Sequence, residues 1–482
     1  MKSANILLIG CGPHAKRVYL PILKEMQSQN VYLKAVVEIN DKKDDVTNVI
    51  FKNFENVELL FISPFQKQFT HKIPSETLNA LNNLIIKHKI NGVIIATDPL
   101  HHMQYAIWAM QNNLHILMDK PISTYSNVAN SIKYAKQIEQ DYKILMEYYN
   151  DDYAFIINAQ RRFLPQFDIV QKLINEVAYK YGVPVTSIQS THSDGQWRLP
   201  NEVLTIKYHP LLGWGKVSHS GFHFIDMASK LVIDSYSYAN KFFDNITVYS
   251  KFIRPSGVLK MQGQNDLEKI WGDKYKELDN RTNEELLSLF KKNKEAEVDA
   301  YSLICLKNGK SNMTTISLNL IHNGFSCRSW LLPNMQDLYK GNGRVRHEYH
   351  NIIQGNLQNI QIHSYQSKSN HDINKDEDTL IGGNNHYDIY IFRNGDILKC
   401  KPLTIITEKQ IAKQYNIDNS KVLNEVARHN AVKQFIDVIQ GKLKASETKS
   451  NIKQHYWSTK LMSLIYQSGY KQKEIKEKCG NK

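Results

Sequence analysis

Apolar strands alternate with amphipathic helices through residues 1–160, and a glycine-rich turn follows the first strand. Beyond residue 245, β-branched and aromatic strands are joined by Asn-Gly turns. Together these predict an α/β protein of two domains, residues 1–160 and 161–482, the first built on a parallel sheet covered by helices on both faces. A length of 482 residues suits two domains better than one.

The first strand is Asn5–Ile9. It runs into Gly10-Cys11-Gly12-Pro13-His14-Ala15 and then a helical stretch to about Leu23. This is the G-x-G-x-x-A pattern of a dinucleotide-binding turn. Gly10 permits the tight turn, Gly12 lets backbone approach a pyrophosphate, and Ala15 allows close helix–strand packing, with Pro13 and His14 in the same loop. A second strand, Val31–Val37, leads to Glu38, whose carboxylate can accept hydrogen bonds from both ribose hydroxyls and so favours NAD over NADP. Lys42 and Lys43 keep NADP open as an alternative. A third strand follows at Val57–Ile62, and the helix Pro74–Lys89 carries Leu78, Leu81, Leu84 and Ile85 on one face. After the strand Gly92–Thr97 comes Leu114–Pro121, LHILMDKP, which stops at a proline because proline has no N–H for a sheet ladder. Lys120 is thereby fixed at the carboxyl end of a strand, where open α/β sheets bind ligands. The last strand of this domain is either Lys143–Glu147 or Ala154–Asn158.

In the second half, Ser218 is a favourable N-cap for a helix over Ser218–Val232. His219, His223 and Asp226, spaced four and three apart, fall on one face of it. Two histidines at i and i+4 also have zinc-site spacing, with His209 as a third candidate, but the HExxH glutamate is absent and no metal is expected. Strands are expected at Ile246–Phe252, Glu297–Leu306, Ser311–Leu320 and His386–Phe392, with hairpin turns at Asn308–Lys310 and Asn394–Asp396.

The stretch Val93–Ser123 resembles the core signature of the Gfo/Idh/MocA (glucose–fructose oxidoreductase, inositol dehydrogenase, rhizopine-catabolism) family. Thr97, His102, Lys120 and Pro121 match it, while Asp98 stands where proline is usual and Asp119 replaces a glutamate. Gln160–Pro165 resembles the segment that opens the family's second domain. Trp197-Arg198, the glycines of Gly213-Trp214-Gly215, and His219, Gly221, His223 and Asp226 fall in the register of the family's Trp-Arg, glycine step and Asp-x-Gly-x-His-x-x-Asp, with His219 in place of the first aspartate.

The resemblance implies an NAD(P)-dependent oxidoreductase acting on a secondary alcohol or ketone of a sugar, polyol or sugar nucleotide. Lys120, His223 and His219 would be catalytic. Thr97, His102, Asp119, Lys120 and Arg162 would lie by the cofactor, and Lys120, Trp197, Arg198, His219 and His223 by the substrate. It also implies a large open-faced, mainly antiparallel sheet in the second domain and a homodimer or homotetramer. Alternatives of other classes are an NAD-retaining hydrolase or lyase working by transient oxidation of a sugar, and a non-catalytic nucleotide-binding protein.

Composition narrows the field further. The net charge of +14 is scattered except in the tail Lys471–Lys482, which reads as a solvated end, so no nucleic-acid partner is expected. No run reaches the ~20 apolar residues of a membrane span. Ile6–Ile9, broken by Gly10 and Gly12, is too short for a signal peptide. Five cysteines without a CxxC pair suit a reducing, cytoplasmic setting. Two stretches read as insertions, Arg254–Ala296 and Gly341–Gly382, the second with Arg346, His347, His350 and His363. Leu423–Gly441 and Ile452–Tyr470 read as a closing helix pair.

Overall fold

The computed structural model describes residues 2–65, 71–194, 199–205, 209–324, 346–366, 385–417 and 423–479. It divides into two units, each assembled from three stretches of chain.

The first unit comprises Met1–Thr124, Ile138–Phe167 and Ile417–Thr459. Its six strands are β1 (Ala4–Ile9), β2 (Val31–Ile39), β3 (Glu58–Ile62), β4 (Gly92–Ile95), β5 (His115–Met118) and β6 (Phe155–Ile157). They pair in parallel in the order β3-β2-β1-β4-β5-β6. The order reverses between β1 and β4, the switch point where such sheets take ligands. Every residue of β4 and β5 is buried, as a parallel sheet with both faces covered requires. Of the two candidates for the last strand, Phe155–Ile157 is the strand and Lys143–Glu147 lies within the helix Ile132–Tyr148.

The expected boundary at residue 160 is too simple. The helix Leu423–Ile439 returns to the first sheet, where a Cβ on Gly92 would come within 2.6 Å of Ile439 and 2.9 Å of Phe435.

The second unit comprises Tyr125–Gln137, Asp168–Asn416 and Lys460–Lys482. Its strands are β7 (Ser187–Ser193), β8 (Asn245–Ile253), β9 (Asp299–Asn308), β10 (Ser311–Ile321), β11 (Arg346–Gln354), β12 (Gln358–Gln366), β13 (Asn385–Arg393), β14 (Leu403–Ile406) and β15 (Ile475–Lys478). They form a sheet in the order β14-β13-β12-β11-β7-β10-β9-β8-β15, antiparallel apart from the β7–β10 pair. One register row crosses seven strands as Val248, Ile304, Ile316, Ile188, Ile352, Ile360 and Ile391, all buried. The adjacent row, Tyr249, Leu303, Ser317, Gln189, Asn351, Gln361 and Tyr390, is exposed or half-exposed. Because successive side chains alternate across a strand, this pair of rows defines one covered and one open face.

Two expectations need correction here. Residues 346–366, read as part of an insertion, are β11 and β12 in the middle of the sheet. Their covered face includes Glu348 and His350, so the apolar alternation that marks a strand is interrupted. Asn394 does not open a two-residue turn. It caps a short helix, Gly395–Leu398, its side chain accepting the N–H of Ile397 at 3.3 Å. Asn308–Lys310 does join β9 to β10, with Gly309 at φ +58°. Residues 254–296 hold four helices, and Val258, Leu259, Leu286 and Phe290 pack with Val203 and Val298 as a local core. No helix among the described residues is long and apolar enough to cross a membrane.

Candidate active site

In the first unit the candidate residues gather at the carboxyl ends of the strands. Gly10 has φ +90°, and a Cβ there would lie 2.7 Å from the Ala96 carbonyl, so only glycine fits where the end of β1 passes the end of β4. Its N–H donates to the Val37 carbonyl at 2.9 Å. Gly12 is the opposite case: a Cβ on it would meet nothing within 4 Å, leaving open space before the helix that Pro13 starts. Ala15 is fully buried. At Gly12 the turn therefore has the room that a dinucleotide's diphosphate needs.

Glu38 sits at the end of β2, 7% exposed. One carboxylate oxygen accepts the Cys11 N–H at 2.8 Å and the other the Ile39 N–H at 2.9 Å. Lys42 Nζ stands 3.6 Å from the same carboxylate, which partly offsets its charge.

Around Lys120 the polar groups brace the turn. Asp119 accepts a hydrogen bond from the Tyr19 hydroxyl and another, at 3.2 Å, from the Asn158 amide, with His14 Nε2 3.7 Å away. His102 is fully buried, its Nδ1 2.8 Å from the Pro121 carbonyl oxygen and its Nε2 3.3 Å from that of Thr97. Burial lowers the pKa of this imidazole, against the raising effect of the Pro121 carbonyl, and a neutral ring donates to only one of the two carbonyls. Thr97 donates its hydroxyl to the Asp98 carbonyl at 3.1 Å, and the Asp98 side chain accepts the Leu100 N–H at 2.9 Å. Lys120 is half-buried. Arg162, 3% exposed, directs its guanidinium to the side chain and carbonyl of Gln454 at 2.8 and 3.0 Å.

In the second unit, the helix expected from Ser218 begins later and differently. Val217–Gly221 is a π-helical turn with a kink at His219 (φ −80°, ψ −108°), and the α-helix runs from Phe222 to Tyr238. Ser218 is not an N-cap: its hydroxyl pairs with that of Tyr466 at 2.7 Å. Glu297 fixes the turn, one carboxylate oxygen accepting the Val217 N–H at 3.0 Å and the Tyr466 hydroxyl at 2.9 Å. Its full burial raises its pKa to about 7. Glycine is required at Gly221, where a Cβ would come within 2.5 Å of the Lys216 carbonyl oxygen. His223 lies in the first α-helical turn, 9% exposed, and Asp226 is fully buried one turn on. The π turn displaces His219 from the helical face it was expected to share with them. Trp197 and Arg198 lie outside the described residues, as does the His209 side chain.

Several polar residues at this turn carry no linear signal. Lys216 is fully buried, its ammonium 3.1 Å from Asp194 and 3.0 Å from His192 Nδ1. Asp194 and His322 follow the ends of β7 and β10 and meet only because those strands pair.

Residues 4–149 match the model of the oxidoreductase family with an NAD-binding Rossmann fold. Over these residues the chain is similar to the Gfo/Idh/MocA oxidoreductases. No curated protein matches the sequence. Among solved structures, levoglucosan dehydrogenase in complex with NADH and levoglucosan is 15% identical, with TM-score 0.59 over 98% of this chain and 99% of that one. The WlbA dehydrogenase from Bordetella pertussis, in complex with NADH and UDP-GlcNAcA, is 13% identical, with TM-score 0.54 over 99% and 98%. An oxidoreductase from Agrobacterium radiobacter, in complex with NAD+, L-tartaric acid and magnesium, is 12% identical, with TM-score 0.56 over 98% of each chain. At such identities the likeness is one of fold, and it extends over both units of the chain.

Proposed function

We propose that the protein is an NAD-dependent dehydrogenase or reductase acting on the secondary alcohol or ketone of a sugar, polyol or sugar nucleotide. The observation that carries this reading is the position of Lys120, at the carboxyl end of β5 in a sheet whose switch point bears an open glycine turn. Glu38 and the Gly10–Ala15 turn would hold NAD, which supplies hydride acceptance when bound. His223 takes the hydroxyl proton in the oxidative direction. Lys120 hydrogen-bonds the substrate oxygen and favours its anionic form. His219, in the place of a family aspartate, would face the substrate hydroxyl without that aspartate's negative charge. The dehydrogenases with NADH and sugar-type ligands among the structures of this fold support the substrate class.

The test is NADH formation by the purified chain against a panel of polyols, aldoses and sugar nucleotides. A chain that binds NAD and converts none of them with net change in NADH would overturn the reading. Conversion without net NADH would point to the hydrolase or lyase class.

We further infer a homodimer or homotetramer in which a second copy covers the open sheet face. Tyr249 and Leu303 stand 41% and 48% exposed as cross-strand partners on it.

A further inference from the structure

We propose that Asp194, His219 and His322 form a binding site for one divalent transition-metal ion of the zinc type. The three ligand atoms lie within 4.8 Å of one another, with Asp194 and His322 buried and His219 half-buried. All three belong to the second unit, so the site is complete within it.

The backbone builds this grouping. Ser193 and Ile321 pair in the parallel β7–β10 ladder, and the Asp194 N–H donates to the Ile321 carbonyl at 3.2 Å. Asp194 and His322 are therefore the next residues out on adjacent strands. Asp299 fixes the chain where it leaves the sheet, one carboxylate oxygen accepting the N–H groups of His322 and Asn323 at 2.8 and 2.9 Å. His219 arrives from the π turn, its kinked backbone bringing its ring edge-on to that of His322 with centroids 5.5 Å apart. Single π turns of this kind recur at functional sites.

The spacing of Asp194 and His322 is compatible with two ligands of one ion. His322 Nε2 stands 3.6 Å from the nearer Asp194 oxygen, beyond hydrogen-bond range. Two ligands of one tetrahedral ion with bonds of ~2.1 Å lie about 3.4 Å apart. Around the carboxylate, the Ser220 hydroxyl donates at 2.7 Å and Lys216 at 3.1 Å, outer groups that orient it. The Lys216 charge opposes any dication. Magnesium and calcium, which depend on oxygen ligands and net negative charge, are therefore disfavoured, whereas two imidazoles and one carboxylate are a zinc donor set. Three protein ligands leave a fourth position for water or a substrate oxygen.

The site differs from the i, i+4 pair that the sequence suggests, because His223 is not a member. The experiment is calorimetric titration of Zn²⁺ into the untagged full-length chain, dialysed against chelator, with zinc X-ray absorption on the loaded wild type. One ion per chain is expected, with two imidazole ligands in the absorption spectrum. His322→Ala and Asp194→Asn should each lower affinity at least ten-fold, while His223→Asn leaves it unchanged. Absence of stoichiometric binding, a spectrum without imidazole ligands, or loss of binding in His223→Asn with retention in His322→Ala would each overturn the proposal. The spectrum needs only the wild type, so a variant that fails to fold does not remove the test.

Discussion

Glu38 reaches across the glycine turn and accepts the N–H of Cys11 at 2.8 Å, so the residue expected to read the ribose also shapes the loop expected to hold the diphosphate. Removing the carboxylate should therefore cost affinity twice over. We expect NAD(H) to bind more tightly than NADP(H), and Glu38→Ala to weaken NAD binding by roughly 10- to 100-fold, the scale of a hydrogen bond to a charged group. Isothermal titration with both nucleotides checks this. Tighter binding of NADP(H) by the wild type would mean that Lys42, 3.6 Å from the carboxylate, dominates.

Lys120 and His223 divide catalysis from binding. Lys120→Ala and His223→Ala should each lower turnover by about 10²-fold or more, the range for a positioned acid or base. The double variant should fall far short of the product of the two effects if both serve one proton transfer, as proposed. Affinity for NAD should hardly change in either. Steady-state rates combined with nucleotide titration separate these outcomes, and fully active single variants would refute the assignment.

Glu297 should make stability depend on pH. Burial raises its pKa in the folded chain to about 7, above the usual carboxyl value of 4.5. The folded state therefore holds this proton more tightly than the unfolded one. The resulting stabilisation is complete below the unfolded pKa and is lost as pH rises toward 7. Glu297→Gln keeps an oxygen for Val217 N–H and Tyr466 but cannot ionise. Its denaturation midpoint should fall less between pH 5 and pH 8 than that of the wild type. Identical pH dependence of the two would show that Glu297 does not ionise over this range.

The open face of the second sheet should be a subunit contact. Light scattering at micromolar concentration should give a dimer or tetramer, and Leu303→Arg, placing a charge beside Tyr249, should shift it toward monomer. A monomeric wild type would sink this.

Much of the first unit was legible in the sequence because its parallel strands are continuous apolar runs ended by glycine or proline, as at Gly10 and Pro121. The placement of Lys120 followed from the same punctuation. The second unit hid more. Strand β11 carries Glu348 and His350 on its covered face, which erased the alternation that would have marked it. The turn at His219 reads in sequence as regular helix because a π turn differs from an α turn by one residue per hydrogen bond, which residue types do not encode. Asp194 and His322 are brought together by strand pairing across more than a hundred residues, and no local spacing announces them.

The packing of Phe435 and Ile439 over Gly92 has a consequence for how the chain is made. During synthesis the ribosome releases all of residues 168–416 before the helix that covers this part of the nucleotide-binding sheet emerges. The usual sequence, with the amino-terminal domain closing first, is unavailable to this unit. Its β4 must wait, apolar and partly uncovered, until residues 423–439 have been made, so chains cut short before residue 423 should refold poorly and be ready clients for chaperones.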